Sequence, residues 1–341
     1  MTQLLVIYDI DGWAYHFRAQ AIARQAPSDF EVRLAGYDLL TGTPAVLAAT
    51  ADETTRWEQH HGDRIQPTAA QRLDAILGDS PPDIVFVLCH HVLKHVCRVI
   101  RDRSWPTRVV VSWNNGWPRR RAEFDAAHRQ ADAMIINNHD YWERAGRLPR
   151  THPISNGVDL EIFRCLSPPD DREPRVLWCG SSYHSVLKGH DDLVLPLFER
   201  LEGTGIPCEA MLVDSRSSQR MGRPEMAQWY NRGTVLVCAS ESEGTPNTAL
   251  EAAACGCTVV TTRVGNMLEL IRDGINGIFV DRDLDSLHAG VRRALADNVR
   301  LATNLNRDIQ SWSWVRRAPE FFSLFREVLA GNASPGQGAP S

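Results

Sequence analysis

Lysine is almost missing from this chain. Of 37 basic residues in 341, only Lys94 and Lys188 are lysines, so nearly every fixed positive charge is an arginine. Metal-type cysteine spacing is missing too. The eight cysteines are scattered, and Cys255 and Cys257 form only a C-x-C. Without CxxC or Cys/His zinc spacing they read as reduced, mostly buried thiols. No apolar run approaches the ~20 residues that span a bilayer. The start, "MTQLLVIYDIDGWAY", has neither a basic n-region nor a small-residue cleavage site, so a cytoplasmic location is expected. A net charge of -5 leaves no electrostatic footprint for nucleic acid. No G-x-G-x-x-G follows an early strand, which argues against a dinucleotide-dependent dehydrogenase.

What is present is an alternation of short apolar runs and helical patterns. "QLLVIYDI", "FEVRLAGY", "DIVFVLCHH", "TRVVVSW" and "DAMIINN" read as strands. Helical patterns separate them: "GWAYHFRAQAIARQA", "TAAQRLDAIL", "VLKHVCRVIRD" and "RAEFDAAHRQA". "THPISNGVDLEIFRCLSPPDDREP" is rich in turn residues and reads as the passage between domains. A second series follows, with strands at "RVLWCG", "CEAMLVDS", "TVLVCAS", "CTVVTTR" and "GIFVD". Unbroken apolar strands between helices imply parallel sheets covered on both faces. The expected fold class is α/β, two doubly wound Rossmann-like domains facing a central cleft. The expected boundaries are a first domain at 1–166, a second at 167–315, a helix at 316–330 returning to the first, and a disordered tail at 331–341.

One stretch concentrates chemistry. "SESEGTPNTALEAAACG" holds Glu243 and Glu251 eight positions apart around Gly244, Thr245, Pro246, Asn247 and Thr248. Structurally it reads as a helix start, with Thr245 as N-cap, Pro246 at the first helical position, and Thr248 with Glu251 at capping-box spacing. Functionally, free N–H groups at a helix start suit a diphosphate. Carboxylates cannot neutralise phosphate, but they accept well from the paired hydroxyls of sugars. A nucleotide sugar would satisfy all of these groups.

This segment resembles the glutamate–seven–glutamate motif of retaining GT-B glycosyltransferases, glycosyltransferase family 4 (glycosyl transferases group 1). "VGNMLELIRDGINGIFV", "ISNGVDLEIF" and "WCGSSYHSVLKG" resemble further motifs of that family. The likeness is strong over the second half and limited to layout in the first. It implies that Glu251 holds the nucleotide ribose, Glu243 the donor sugar, and the 244–248 turn the sugar or diphosphate. Lys188 falls on the family's phosphate-neutralising lysine. Gly180 is followed by Ser181 and Ser182 where the family has an arginine; Arg216 or Arg18 could compensate. Gly12 falls in the loop where relatives approach the donor phosphate. Asn114 falls near the place of a cleft histidine, with Trp113 or Asn115 as alternative equivalents. Trp13, His16, His90, His91 and Trp113 are candidate acceptor contacts at strand ends. The catalytic set expected is Lys188, Glu243 and Asn114.

The D-x-D pairs Asp9/Asp11 and Asp283/Asp285 are too few ligands for a magnesium cage. No metal and no cofactor is therefore expected, only a nucleoside-diphosphate sugar as co-substrate and a carbohydrate or small-molecule acceptor. Arg119, Arg120 and Arg121 read as a solvated helix start, with peripheral contact to an anionic membrane surface as the alternative. Two other readings stay open. One is a sugar-nucleotide epimerase of the same fold, and the other a nucleotide-sugar-binding protein without transferase activity. A UDP- or GDP-sugar donor and a hydroxyl of a glycan, lipid-linked or small-molecule acceptor are expected; which base, sugar and acceptor, and the oligomeric state, are left open.

Overall fold

Strands buried on both faces need no alternation of polar and apolar residues, and these have none. Ile84–Val87, Ala133–Ile136, Val235–Cys238 and Thr258–Thr261 are buried at every position. The structure is a computed structural model and describes residues 1–9, 12–36, 80–114, 121–213 and 221–331. The expected helix "TAAQRLDAIL", the arginines at 119, 120 and 216, Asp11, Asn115 and the tail beyond 331 lie outside the described residues.

The chain divides into two units, Met1–Asn156 with Val315–Ser341, and Gly157–Trp314. In the first, β1 (Thr2–Tyr8), β2 (Phe30–Gly36), β3 (Ile84–Val87), β4 (Arg108–Trp113), β5 (Ala133–Ile136) and β6 (Thr151–Pro153) form a parallel sheet. Their order is β2-β1-β3-β4-β5-β6. In the second, β7 (Val176–Ser181), β8 (Cys208–Val213), β9 (Val235–Cys238), β10 (Thr258–Thr261) and β11 (Ile278–Phe279) are ordered β11-β10-β9-β7-β8, again parallel. Both are α/β sheets of the Rossmann type.

The division falls between Asn156 and Gly157, ahead of the expected residue 166. Val158 bridges Ser313, its N–H donates to Trp312 O at 2.8 Å, and Phe163 is buried in the second core. The supposed passage therefore starts with β6, which completes the first sheet, and continues as packed chain of the second unit. Two helices went unforeseen, His139–Arg144 and Asn298–Asp308. The first is capped by Asn138, whose side chain accepts from Tyr141 N.

The last helix, Trp314–Leu329, supplies its residues from Val315 onward to the first unit. Phe321 and Phe325 pack on Phe86, and Phe322 and Phe325 on Phe30, at ring separations of 5.0–6.4 Å. Each fully buried phenylalanine stabilises the fold by roughly 1.5–3 kcal/mol. Arg326 closes the contact with two 2.8 Å hydrogen bonds to Asp29. Among the described residues no helix is long and apolar enough to cross a membrane.

Candidate functional site

In the second sheet the chain leaves β7 toward β8 on one side, while neighbouring β9 leads to β10 on the other. Such a switch point opens a crevice beyond the carboxyl ends of the two strands. Lys188 comes from the loop after β7, and Glu243 from the loop after β9. There they form an ion pair between Nζ and Oε1. Ser240 Oγ donates to the same carboxylate oxygen at 2.8 Å. Burial alone would pull the Lys188 ammonium down, but the Glu243 charge and hydrogen bond outweigh it and hold it above its ordinary value.

The two loops are stapled together by backbone. Glu241 N donates to Leu187 O at 2.8 Å. Arg282 donates to Ala239 O and Val186 O, both at 3.1 Å. Gly189 has φ +71°, and a Cβ there would sit 2.8 Å from Ala239 O. The glycine after Lys188 is thus what lets its loop close on β9.

Glu243 leads into the turn. Gly265 approaches it so closely that a Cβ would meet Gly244 O at 2.4 Å and Glu243 O at 2.8 Å. Asn266 donates from its backbone to Gly244 O at 3.2 Å and from its side chain to Thr245 Oγ1 at 3.1 Å. The helix is Asn247–Ala254, with Pro246 as N-cap and no side-chain cap hydrogen bond. This corrects the expected Thr245 cap, first-position proline and Thr248–Glu251 box. Thr245 Oγ1 is held by Asn266 instead. Ala249 N makes the first helical bond, to Pro246 O at 2.9 Å, so the amides of Asn247 and Thr248 stand ahead of it.

Glu251 lies one turn into that helix. Tyr230 OH donates to its Oε2 at 3.1 Å. Burial pushes the Glu251 carboxyl up to about 7, against the pull of Arg223 and the Tyr230 hydrogen bond. Arg223 is paired with buried Asp159 at 3.2 Å and lies over the Phe163 ring at 5.2 Å. Asp159, Arg223, Tyr230, Ser240, Asn266 and Arg282 were missed from sequence. Asp159 alone carried a signal, within "NGVDLEIF".

Gly180, Ser181 and Ser182 end β7 and start the loop that carries Lys188. A Cβ at Gly180 would meet the Trp178 indole at 2.6 Å, so this glycine serves packing. Arg18 does not replace the family's arginine. It is 3% exposed, and Nη1 is spent on Ser112 Oγ at 2.9 Å and Asn114 Oδ1 at 2.6 Å. Burial lowers its pKa to about 10. Asp283 caps a helix by accepting from Ser286 N at 2.8 Å, and Asp285 pairs with Arg200 at 2.6 Å.

In the first unit, Gly12 has φ +69° and donates its N–H to His16 Nδ1 at 2.7 Å. His16 stacks on Tyr8 with centroids 4.5 Å apart. Trp13 is half-buried at the N-cap of the helix Ala14–Arg24. Trp113 must be corrected. It is 0% exposed, wedged against Phe124 and His90, and has no face to offer an acceptor. Asn114 is buried, and its amide is committed to Arg18, Ser112 and Leu88 O. His90 and His91 follow β3, half-buried, with rings 4.1 Å apart.

Solved structures share this architecture, the GT-B fold. Sucrose-phosphate synthase from Thermosynechococcus elongatus superimposes with a TM-score of 0.73 at 16% identity, over 97% of this chain and 100% of that one. HepE from Anabaena, solved in complex with UDP-glucose, gives 0.64 at 16% identity over 94% and 99%. Residues 173–297 match the family model of glycosyl transferases group 1. A D-inositol 3-phosphate glycosyltransferase of Thermobifida fusca is 41% identical over 248 residues, 60% of this chain and 57% of that protein. Another, of Catenulispora acidiphila, is 27% identical over 233 residues, 56% and 54% respectively. Over residues 173–297 the chain is similar to the group 1 glycosyltransferases, and it spans little more than half the length of these two relatives.

Proposed function

We propose that the protein is a retaining glycosyltransferase that takes a nucleoside-diphosphate sugar, UDP-linked in the first instance, and glycosylates a hydroxyl of a carbohydrate or cyclitol phosphate. The observation that carries this reading is the convergence of Lys188 and Glu243 at the β7/β9 switch point, one helix N-terminus away from Glu251. The UDP-glucose bound by HepE and the inositol phosphate named for the relatives favour these ligand classes.

Glu251 accepts from the ribose hydroxyls and Glu243 from the donor sugar. Lys188 and the amides of Asn247 and Thr248 receive the diphosphate, and their stabilisation grows as the sugar–phosphate bond breaks and charge collects on the leaving oxygen. The acceptor hydroxyl attacks from the leaving-group face and passes its proton to the departing phosphate oxygen. Retention then needs no protein nucleophile, metal or cofactor. The amides of Ser181 and Ser182 take part of the anion-binding role that an arginine has in relatives.

A thermal-shift screen of UDP-, GDP-, ADP- and dTDP-sugars identifies the donor base, since a ligand that binds only the folded state raises Tm. Incubating that donor with and without inositol 3-phosphate, with products read by mass spectrometry, then tests transfer. A glycosylated acceptor and free nucleotide support it. A new sugar isomer from donor alone would point to epimerisation, and binding without turnover on any acceptor to a binding protein.

A further inference from the structure

Two adjacent histidines and a glutamate meet in the first unit. His90 and His91 lie on a single helical turn, His90–Val92, directly after β3. Glu123 sits in the first turn of the helix Arg121–Gln130. One ligand atom from each of the three lies within 4.8 Å of the others. His90 Nε2 stands 3.3 Å from Glu123 Oε2. A charge-assisted hydrogen bond closes to about 2.7–2.9 Å. Two ligands about 2.0–2.1 Å from one tetrahedral zinc ion stand roughly 3.3 Å apart. The separation is that of a long hydrogen-bonded ion pair, and it also matches the edge of such a coordination shell.

The surroundings favour a held site over a chance meeting of side chains. The His90 ring lies 4.4 Å from Trp113 and 4.1 Å from His91, so its plane is fixed by an indole that is fully buried. The His90 side chain is 13% exposed and that of Glu123 41%, which leaves the site open to solvent on the glutamate side. Imidazole with carboxylate suits zinc and its first-row neighbours rather than calcium or magnesium.

We propose that His90, His91 and Glu123 bind one divalent transition-metal ion, zinc or a close analogue, with a fourth position open to water or to an oxygen of a small ligand. The site lies in the unit that does not contain Lys188, Glu243 or Glu251, and the proposed transfer does not use it.

Cobalt(II) is the probe. Full-length protein, stripped with chelator and desalted, is titrated with cobalt while visible d–d absorption is recorded, then back-titrated with zinc. The expected result is one equivalent of tetrahedral-type absorption, displaced by zinc. It should be lost or weakened by more than about tenfold in His91→Ala and in Glu123→Gln, since even outer-sphere changes cost 10–100-fold at metal sites. His288→Ala, in the other unit, should titrate like the wild type. Glu123 is partly exposed on a helix surface, so Glu123→Gln keeps the fold if His91→Ala does not; a thermal melt of each checks this. Absence of the band in the wild type, its survival in Glu123→Gln, or a thiolate charge-transfer band pointing to cysteines would overturn the proposal.

Discussion

Lys188 and Glu243 come from loops 55 residues apart and are paired side chain to side chain at the carboxyl edge of the second sheet. The pair is mostly buried, with 23% and 11% of the side chains exposed. Both groups have a proposed ligand of their own, a diphosphate for the lysine and sugar hydroxyls for the glutamate. In the proposed reaction, a diphosphate drawn to Lys188 would loosen its hold on Glu243 as the sugar arrives. Removing one partner leaves the other charge partly buried and uncompensated, at a cost on the order of 3 kcal/mol.

Lys188→Ala should therefore lower Tm and also lower kcat by about 10²–10³-fold through lost leaving-group stabilisation. The double variant Lys188→Met/Glu243→Gln should recover most of the lost Tm and none of the turnover. Melting curves and steady-state kinetics on the three proteins check this. Recovery of turnover in the double variant would show that the pair serves stability alone.

Much of this site was legible because its residues sit in short contiguous motifs. Lys188-Gly189 and Glu243 to Glu251 each carry their geometry locally: a glycine at positive φ, a strand end, a helix start. The inner strands of both sheets were legible for a similar reason, since strands buried on both faces read as unbroken apolar runs. Arg223 and Tyr230 were not legible, and Asp159 only through its motif, because two distant segments, the chain at Asp159 and the helix Arg223–Asn231, are brought to Glu251 by the fold alone. Trp113 failed differently. It ends a strand as a ligand-facing residue would, but its side chain falls into the core against Phe124.

The Glu251 carboxyl, raised by burial to about 7, should make donor binding pH-dependent. In the proposed complex ribose hydroxyls donate to the ionised form, so binding should expel the proton that the free protein holds below pH 7. UDP-glucose affinity should rise about tenfold from pH 6 to pH 8. Calorimetry in buffers of differing ionisation enthalpy should register proton release near pH 6.5. Glu251→Gln should bind more weakly and with a flat pH profile. Stability responds in the opposite sense. Because the folded pKa is the higher one, the contribution of Glu251 is fully present below its unfolded value and is lost as pH rises to about 7. An unchanged affinity in Glu251→Gln would remove the ribose assignment.

Gly265 has φ +51°, and a Cβ there would drive into Gly244 O and Glu243 O. Gly265→Ala should cost about 1–3 kcal/mol of strain. It should also displace the Glu243–Gly244 backbone while leaving Glu251 in place. Affinity for the intact sugar nucleotide should then fall more than affinity for UDP. Equal losses for both ligands would mean that the turn carries no separate sugar contact.

Asn114 separates two readings of the first unit. Its Oδ1 accepts from Arg18 and Ser112, and its Nδ2 donates to Leu88 O at 2.8 Å. Arg18 already has Nε and Nη2 buried without a hydrogen-bond partner. Asn114→Ala would take an acceptor from a buried guanidinium, at about 1–3 kcal/mol or more. The expected outcome is a fall in Tm with kcat/KM per folded molecule nearly unchanged. Asn114→Asp supplies a carboxylate to the same guanidinium and should recover part of the Tm. If Asn114→Ala instead keeps its Tm and loses turnover, the amide reaches the sugar as the family resemblance implies, and its bonds to Arg18 and Leu88 are secondary.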